Sequence, residues 1–111
     1  YLYKGKELVL GPFQGKPACV RIAIGKGVCG TAAKTRKIQV VKDVNQFPGH
    51  IACDAQSQSE IVLPIIKYDR LIGVLDIDSP LKARFDNRDA EGLTKFIDII
   101  NENINWPEEF I

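Results

Sequence analysis

Three cysteines, a single histidine and a run of carboxylates are the residues in this chain whose types and spacing could do chemistry. Cys29 sits in Gly25-Lys26-Gly27-Val28-Cys29-Gly30. Cys53 follows His50 by three residues and precedes Asp54. Both stretches read as loops, where reactive groups concentrate when a rigid scaffold holds them. A thiol becomes a nucleophile when backbone amides, a helix start or a nearby cation stabilise its thiolate. One helical turn in residues 49–55 would bring His50 to Cys53. The pattern therefore allows a nucleophilic Cys53 with Cys29 or Cys19 as a resolving thiol. Two other readings use the same residues. All three thiols could be small buried apolar side chains. Alternatively, Cys19, Cys29, Cys53 and His50 could form a three-sulfur, one-nitrogen zinc shell, although the chain has no CxxC knuckle, the usual source of two ligands.

The acids point to a second kind of chemistry. Side chains alternate along residues 71–78, so Asp76 and Asp78 should share a face, and Ile72 and Val74 with them. Glu60 opens the preceding strand and comes near the pair across a hairpin. Clustered carboxylates raise the pKa of at least one member, because like charges disfavour ionisation. The protonated member can act as a general acid while an ionised neighbour holds an ammonium group. The alternative is a strand end in solvent.

The glycine segment also matches the dinucleotide fingerprint GxGxxG, with Asp43 where a ribose-binding acid would stand. That reading needs repeated βαβ units, and this chain has room for one.

The elements that must position these groups follow from periodicity and turn residues. Residues 1–3 and 7–10 read as strands joined by Lys4-Gly5-Lys6, and 11–17 as a loop rich in proline and glycine. A strand is expected over 18–24 with Cys19 near its start, then the glycine turn, a short helix over 31–36 and a strand over 38–41. Residues 60–66 and 71–78 form a hairpin with Tyr68-Asp69-Arg70 at its tip. Residues 89–104 form an amphipathic helix capped by Asp86, with Leu93, Phe96, Ile97, Ile100 and Ile104 on its buried face. Strands clustered in this way, with a helix at the end, imply an α+β domain with an antiparallel sheet.

The 111 residues suffice for one core. Apolar residues make up 45%, charged residues 26%, and the net charge is +1. Because the charges are scattered, nothing electrostatic recommends a nucleic-acid or membrane partner. No apolar run approaches the roughly 20 residues of a membrane span. An odd number of cysteines fits a reducing compartment, so the cytoplasm is the expected location. The opening Tyr1-Leu2-Tyr3 reads as the interior of a strand, and an N-terminal piece is expected to be missing.

Several blocks together resemble a known family: Gly11-Pro12-Phe13-Gln14-Gly15, Ala18-Cys19, Gly25 to Thr31, Gly49-His50-Ile51-Ala52-Cys53-Asp54-Ala55, Ser59-Glu60-Ile61-Val62-Leu63-Pro64, and Gly73-Val74-Leu75-Asp76-Ile77-Asp78-Ser79. They resemble the free methionine-(R)-sulfoxide reductases, which are built on a GAF domain, and the likeness runs from Tyr1 to about Phe96. The resemblance implies a GAF-like fold with a central antiparallel sheet and flanking helices. It implies that Cys53 is the nucleophile, that Cys29 and Cys19 are resolving thiols, and that Glu60, Asp76 and Asp78 bind the substrate and help protonate its oxygen. Tyr1 would end an aromatic strand that helps form the pocket for the substrate methyl group. The family's tryptophan before that point and its first helix are not in this chain, and Trp106 lies in the C-terminal tail. The resemblance further implies no bound cofactor, thioredoxin as external reductant, and a homodimer. A GAF module that binds a small molecule without catalysis is the rival expectation, since fold does not fix function.

Overall fold

The computed structural model describes residues 1–16, 18–51, 53 and 55–107; Ala52 and Asp54, which flank Cys53, lie outside the described residues. Strands β1 (Leu2–Lys4), β2 (Glu7–Val9) and β3 (Arg21–Ala23) lead into helix α1 (Gly27–Thr35) and strand β4 (Gln39–Val41). A single 3-10 turn (Val44–Gln46), the long strands β5 (Ser59–Lys67) and β6 (Arg70–Ser79) and helix α2 (Asn87–Asn103) complete the chain. The strands form one six-stranded sheet in the order β3-β2-β1-β6-β5-β4, with every neighbouring pair antiparallel.

The two helices cover opposite faces. Val62 packs in a core with Val28, Cys29, Ala32 and Ala33 of α1. Its neighbours Ile61 and Leu63 pack in a second core with Ile97 of α2. Burial on both sides explains why β5 reads as a nearly continuous apolar run rather than as an alternation.

The β5–β6 hairpin is closed by Tyr68 and Asp69 alone, with φ of 52° and 61°, the conformation of a two-residue turn that matches the twist of the strands. Arg70, expected at the tip, already pairs with Lys67 in the ladder. The register then slips: Ile65 opposes Gly73 but Ile66 opposes Leu71. This bulge sets Ile72 on the α2 face with Ile61 and Leu63, whereas Val74 and Leu71 face α1. Ile72 therefore does not share a face with Asp76 and Asp78, because an extra residue in a strand inverts the alternation on one side of it.

Helix α1 begins earlier than its sequence predicts. Gly27 is its first residue, at φ +62°, and a Cβ on Gly30 would stand 2.5 Å from the Ala23 carbonyl oxygen. The glycines thus let a helix start directly against β3, and Cys29 is the third residue of that helix rather than part of a turn. Cys19 precedes β3 instead of lying in it. Asp43, the candidate ribose acid, caps the 3-10 turn by accepting from the Asn45 amide at 3.0 Å, and the antiparallel sheet is not a dinucleotide fold.

Helix α2 has the predicted cap. Asp86 accepts from the Arg88 and Asp89 amides while the Asp89 carboxylate accepts from the Asp86 amide, a reciprocal capping box. Of its expected apolar face, Ile97 is buried but Phe96 is 50% exposed. Leu93 packs with Ile97 against the sheet, whereas Ile104, also expected on that face, is 40% exposed at the end of the helix. Trp106 donates its indole N–H to Asn101 Oδ1 at 3.1 Å and packs in the core of the α2 face.

Candidate active site

The sheet places the acids before any loop does. Glu60 pairs directly with Asp78 across the β5–β6 ladder, and Asp76 pairs with Val62. Cross-strand partners share a face. Since Val62 faces α1, all three carboxylates point to the α1 side.

Helix α1 delivers Cys29 onto the same spot. Its thiol, 4% exposed, donates to Glu60 Oε2 at 3.8 Å. Burial, reinforced by the charges of Asp76 and Glu60, pushes this thiol well above its ordinary pKa, so it stays protonated near neutrality. Glu60 is 5% exposed. Burial first, then hydrogen bonding to Asp76 and that residue's charge, raises its carboxyl far above the usual carboxylate range. His50 Nε2 stands 4.0 Å from Glu60 Oε1, and Asp76 Oδ1 is buried with no hydrogen-bond partner in the protein.

Two loops wall the site. The 11–19 loop is held at its base by the bond from the Leu10 amide to the Val20 carbonyl at 2.8 Å, and the 47–58 loop by Val44 N–H to the Gln58 carbonyl at 2.9 Å. Ile51 of the second loop packs against Gly27, where a Cβ would meet Ile51 Cγ1 at 3.2 Å. A disulfide between Cys19 and Cys53 joins the two loops, with Cα atoms 5.3 Å apart. Cys29 is a free, buried thiol. The zinc shell of Cys19, Cys29, Cys53 and His50 is excluded in this state, because two of its sulfurs are bonded to each other. Among the described residues, His50, Ile51 and Cys53 are not helical; the Cys53 amide bonds the Ile51 carbonyl at 3.0 Å.

Behind these loops lies a cavity of about 640 Å³ lined by Tyr1, Cys29, His50, Cys53, Glu60, Asp76 and Asp78. The Tyr1 hydroxyl donates to the Cys19 carbonyl at 2.9 Å, and burial, the largest cause, raises its pKa. Every candidate residue thus meets at one cavity, with Cys19 behind it as the covalent partner of Cys53. Trp106 lies on the other face of the sheet. Lys26, Gln56 and Ser57 also line the cavity, and sequence reasoning had assigned them no role. The sequence signal for Lys26 is a lysine inside a glycine-rich segment.

This arrangement offers a carboxyl with a raised pKa, further carboxylate oxygens and a disulfide-bonded cysteine pair around one space. The GAF domain family matches residues 1–104. The free methionine-R-sulfoxide reductase of Escherichia coli (strain K12) is 56% identical over 97 residues, covering 87% of this chain and 59% of that protein. The reduced form of the Staphylococcus aureus fRMsr superposes with a TM-score of 0.89 at 63% identity, over 92% of this chain and 66% of that one. The free methionine-R-sulfoxide reductase of Neisseria meningitidis, solved with its substrate, superposes with a TM-score of 0.86 at 49% identity, over 87% of this chain and 58% of that one. Against the Escherichia coli relative, the chain spans about three fifths of the length, at 59%. By sequence and fold, the chain belongs to the GAF-domain family, grouped with the free methionine-R-sulfoxide reductases.

Proposed function

We propose that this chain forms the catalytic cavity of a reductase that converts free L-methionine-(R)-sulfoxide to methionine. The observation that carries the reading is the Cys19–Cys53 disulfide at the wall of a cavity that also holds Glu60, Asp76 and Asp78. A purely ligand-binding module needs the cavity but not the redox pair.

In the proposed cycle, both cysteines of the pair begin as thiols. The Cys53 thiolate attacks the sulfoxide sulfur while Glu60 protonates the departing oxygen. In the S–S-bonded adduct so formed, the protonated oxygen passes to the Cys53 sulfur as the S–O and S–S bonds break; methionine leaves with its sulfur reduced by two electrons, and Cys53 becomes a sulfenic acid. The Cys19 thiol then attacks the Cys53 sulfur, water leaves, and the disulfide forms. An external dithiol, thioredoxin by resemblance, restores both thiols by exchange. Cys19 rather than Cys29 is favoured as the resolving thiol. The disulfide supports this choice, as does the burial that holds the Cys29 thiol protonated and so weakly nucleophilic. Glu60 suits the role of acid because its raised pKa keeps a proton available near neutrality. Asp76 and Asp78 supply acceptors for the substrate ammonium, and Lys26 at the cavity edge is a cation for its carboxylate. Together they select a free amino acid over a peptide.

The test is turnover. Incubated with L-methionine-(R)-sulfoxide, thioredoxin, its reductase and NADPH, the protein should oxidise NADPH, and Cys53→Ser should not. Cys19→Ser should release about one methionine per chain and leave a dimedone-reactive sulfenic acid on Cys53. Tight sulfoxide binding without turnover would replace this reading with a sensing role.

A further inference from the structure

Cys29 Sγ, one Glu60 oxygen and one Asp76 oxygen all lie within 4.8 Å of one another, and this is a metal-capable grouping among the described residues. Sγ and Glu60 Oε2 are 3.8 Å apart. In a tetrahedral zinc site, bonds of about 2.0–2.3 Å put neighbouring donors roughly 3.5 Å from each other. The existing separations therefore need only small side-chain adjustments. His50 Nε2 stands 4.0 Å from the other Glu60 oxygen, outside the three-donor grouping, and a rotation of its side chain is needed to bring it in as a fourth donor. Asp76 Oδ1 independently points to a ligand: it is buried and has no partner in the protein, a condition that normally calls for an ion, a water or a bound group.

We propose that Cys29, Glu60, Asp76 and His50 form a zinc site at the floor of the cavity, separate from the Cys19–Cys53 pair. One sulfur, one imidazole and two carboxylate oxygens suit a borderline-soft cation such as Zn²⁺, whereas Mg²⁺ and Ca²⁺ prefer oxygen alone. The site differs from the shell that the three cysteines and His50 could make, because it uses only the thiol left free by the disulfide. A zinc ion here would occupy Glu60 and Asp76, the groups assigned above to proton donation and ammonium binding. It would therefore exclude the substrate. That inhibitory consequence rests on the proposed reductase activity; the binding does not.

The experiment uses the oxidised chain, verified to contain one free thiol, so that Cys19 and Cys53 cannot ligate metal. Titration with Co²⁺ should produce a thiolate-to-cobalt charge-transfer band that saturates at one equivalent and disappears on adding Zn²⁺. Cys29→Ser should abolish the band. Asp76→Asn, a near-isosteric change, should weaken Zn²⁺ binding at least about tenfold in competition with a chromophoric chelator. If Cys29→Ser does not fold, Asp76→Asn and His50→Gln carry the test. Absence of the charge-transfer band, or unchanged affinity in the folded variants, would overturn the site and leave the reductase reading intact. Zinc binding by a protein that shows no sulfoxide turnover would uphold the site and remove only its inhibitory meaning.

Discussion

Glu60 works against the ordinary behaviour of a carboxylate. Its folded-state pKa is raised, chiefly by burial and then by Asp76. The folded protein therefore holds a proton that the unfolded chain releases above about pH 4.3. For a raised pKa, the stabilising contribution is complete below the unfolded value and is lost as pH climbs toward the folded one. Glu60→Gln removes this liability and can still donate to Asp76. The variant should be more stable than the parent by at least about 1 kcal/mol near neutral pH, with the difference closing near pH 4. It should also lose sulfoxide turnover. Denaturant unfolding across that pH range measures the first, and a parallel pair of stability curves would remove the basis for Glu60 as the proton donor. At this scale type and spacing alone single out Cys53, Glu60, Asp76 and Asp78, which the fold brings to one cavity. They leave open which thiol pairs with Cys53. Cys19 and Cys29 are equally legible as cysteines, and only the approach of two loops distinguishes them.

At the scale of elements, the hairpin sets the geometry and β1 completes it. β1 joins β6 at Leu2–Gly73, and the Val74 amide bonds the Tyr1 carbonyl at 2.9 Å. A Cβ on Gly73 would stand 2.0 Å from that carbonyl oxygen, a distance that no side-chain rotation relieves. Gly73→Ala should therefore push β1 from β6 and cost about 1–3 kcal/mol. It should also raise KM for the sulfoxide more than it lowers kcat, because Tyr1 borders the cavity while the acids and Cys53 hang on other elements. Urea unfolding and steady-state kinetics test the two halves. The hairpin and α2 were readable from turn residues, apolar runs and the Asp86 cap. The bulge at Ile72 and the early start of α1 were not. Both arise where one backbone is fitted against another, at β5 against β6 and at Gly30 against Ala23.

Across the whole molecule, the Cys19–Cys53 bond closes a separation of 34 residues and ties together the two loops that wall the cavity. A loop of that length corresponds to about 3–4 kcal/mol of lost unfolded-state entropy. The oxidised protein should thus unfold at a higher denaturant concentration than the reduced protein. Cys29→Ser should keep that redox difference, and Cys19→Ser should abolish it. Equal midpoints with and without reductant would mean that the bond does not restrain the loops.

Local chemistry determined by itself the α+β class, the hairpin, the capped helix and the candidate nucleophile and acids, because these depend on residue type, alternation and turn preference over a few positions. Tertiary structure alone decided that Glu60 is buried against Cys29, that His50 faces Glu60 rather than forming a turn with Cys53, and that Cys19 is the partner of Cys53. Each of these depends on distances between segments far apart in the chain. Such distances are settled by packing α1 and two loops onto one face of a bulged sheet, and no local pattern encodes them.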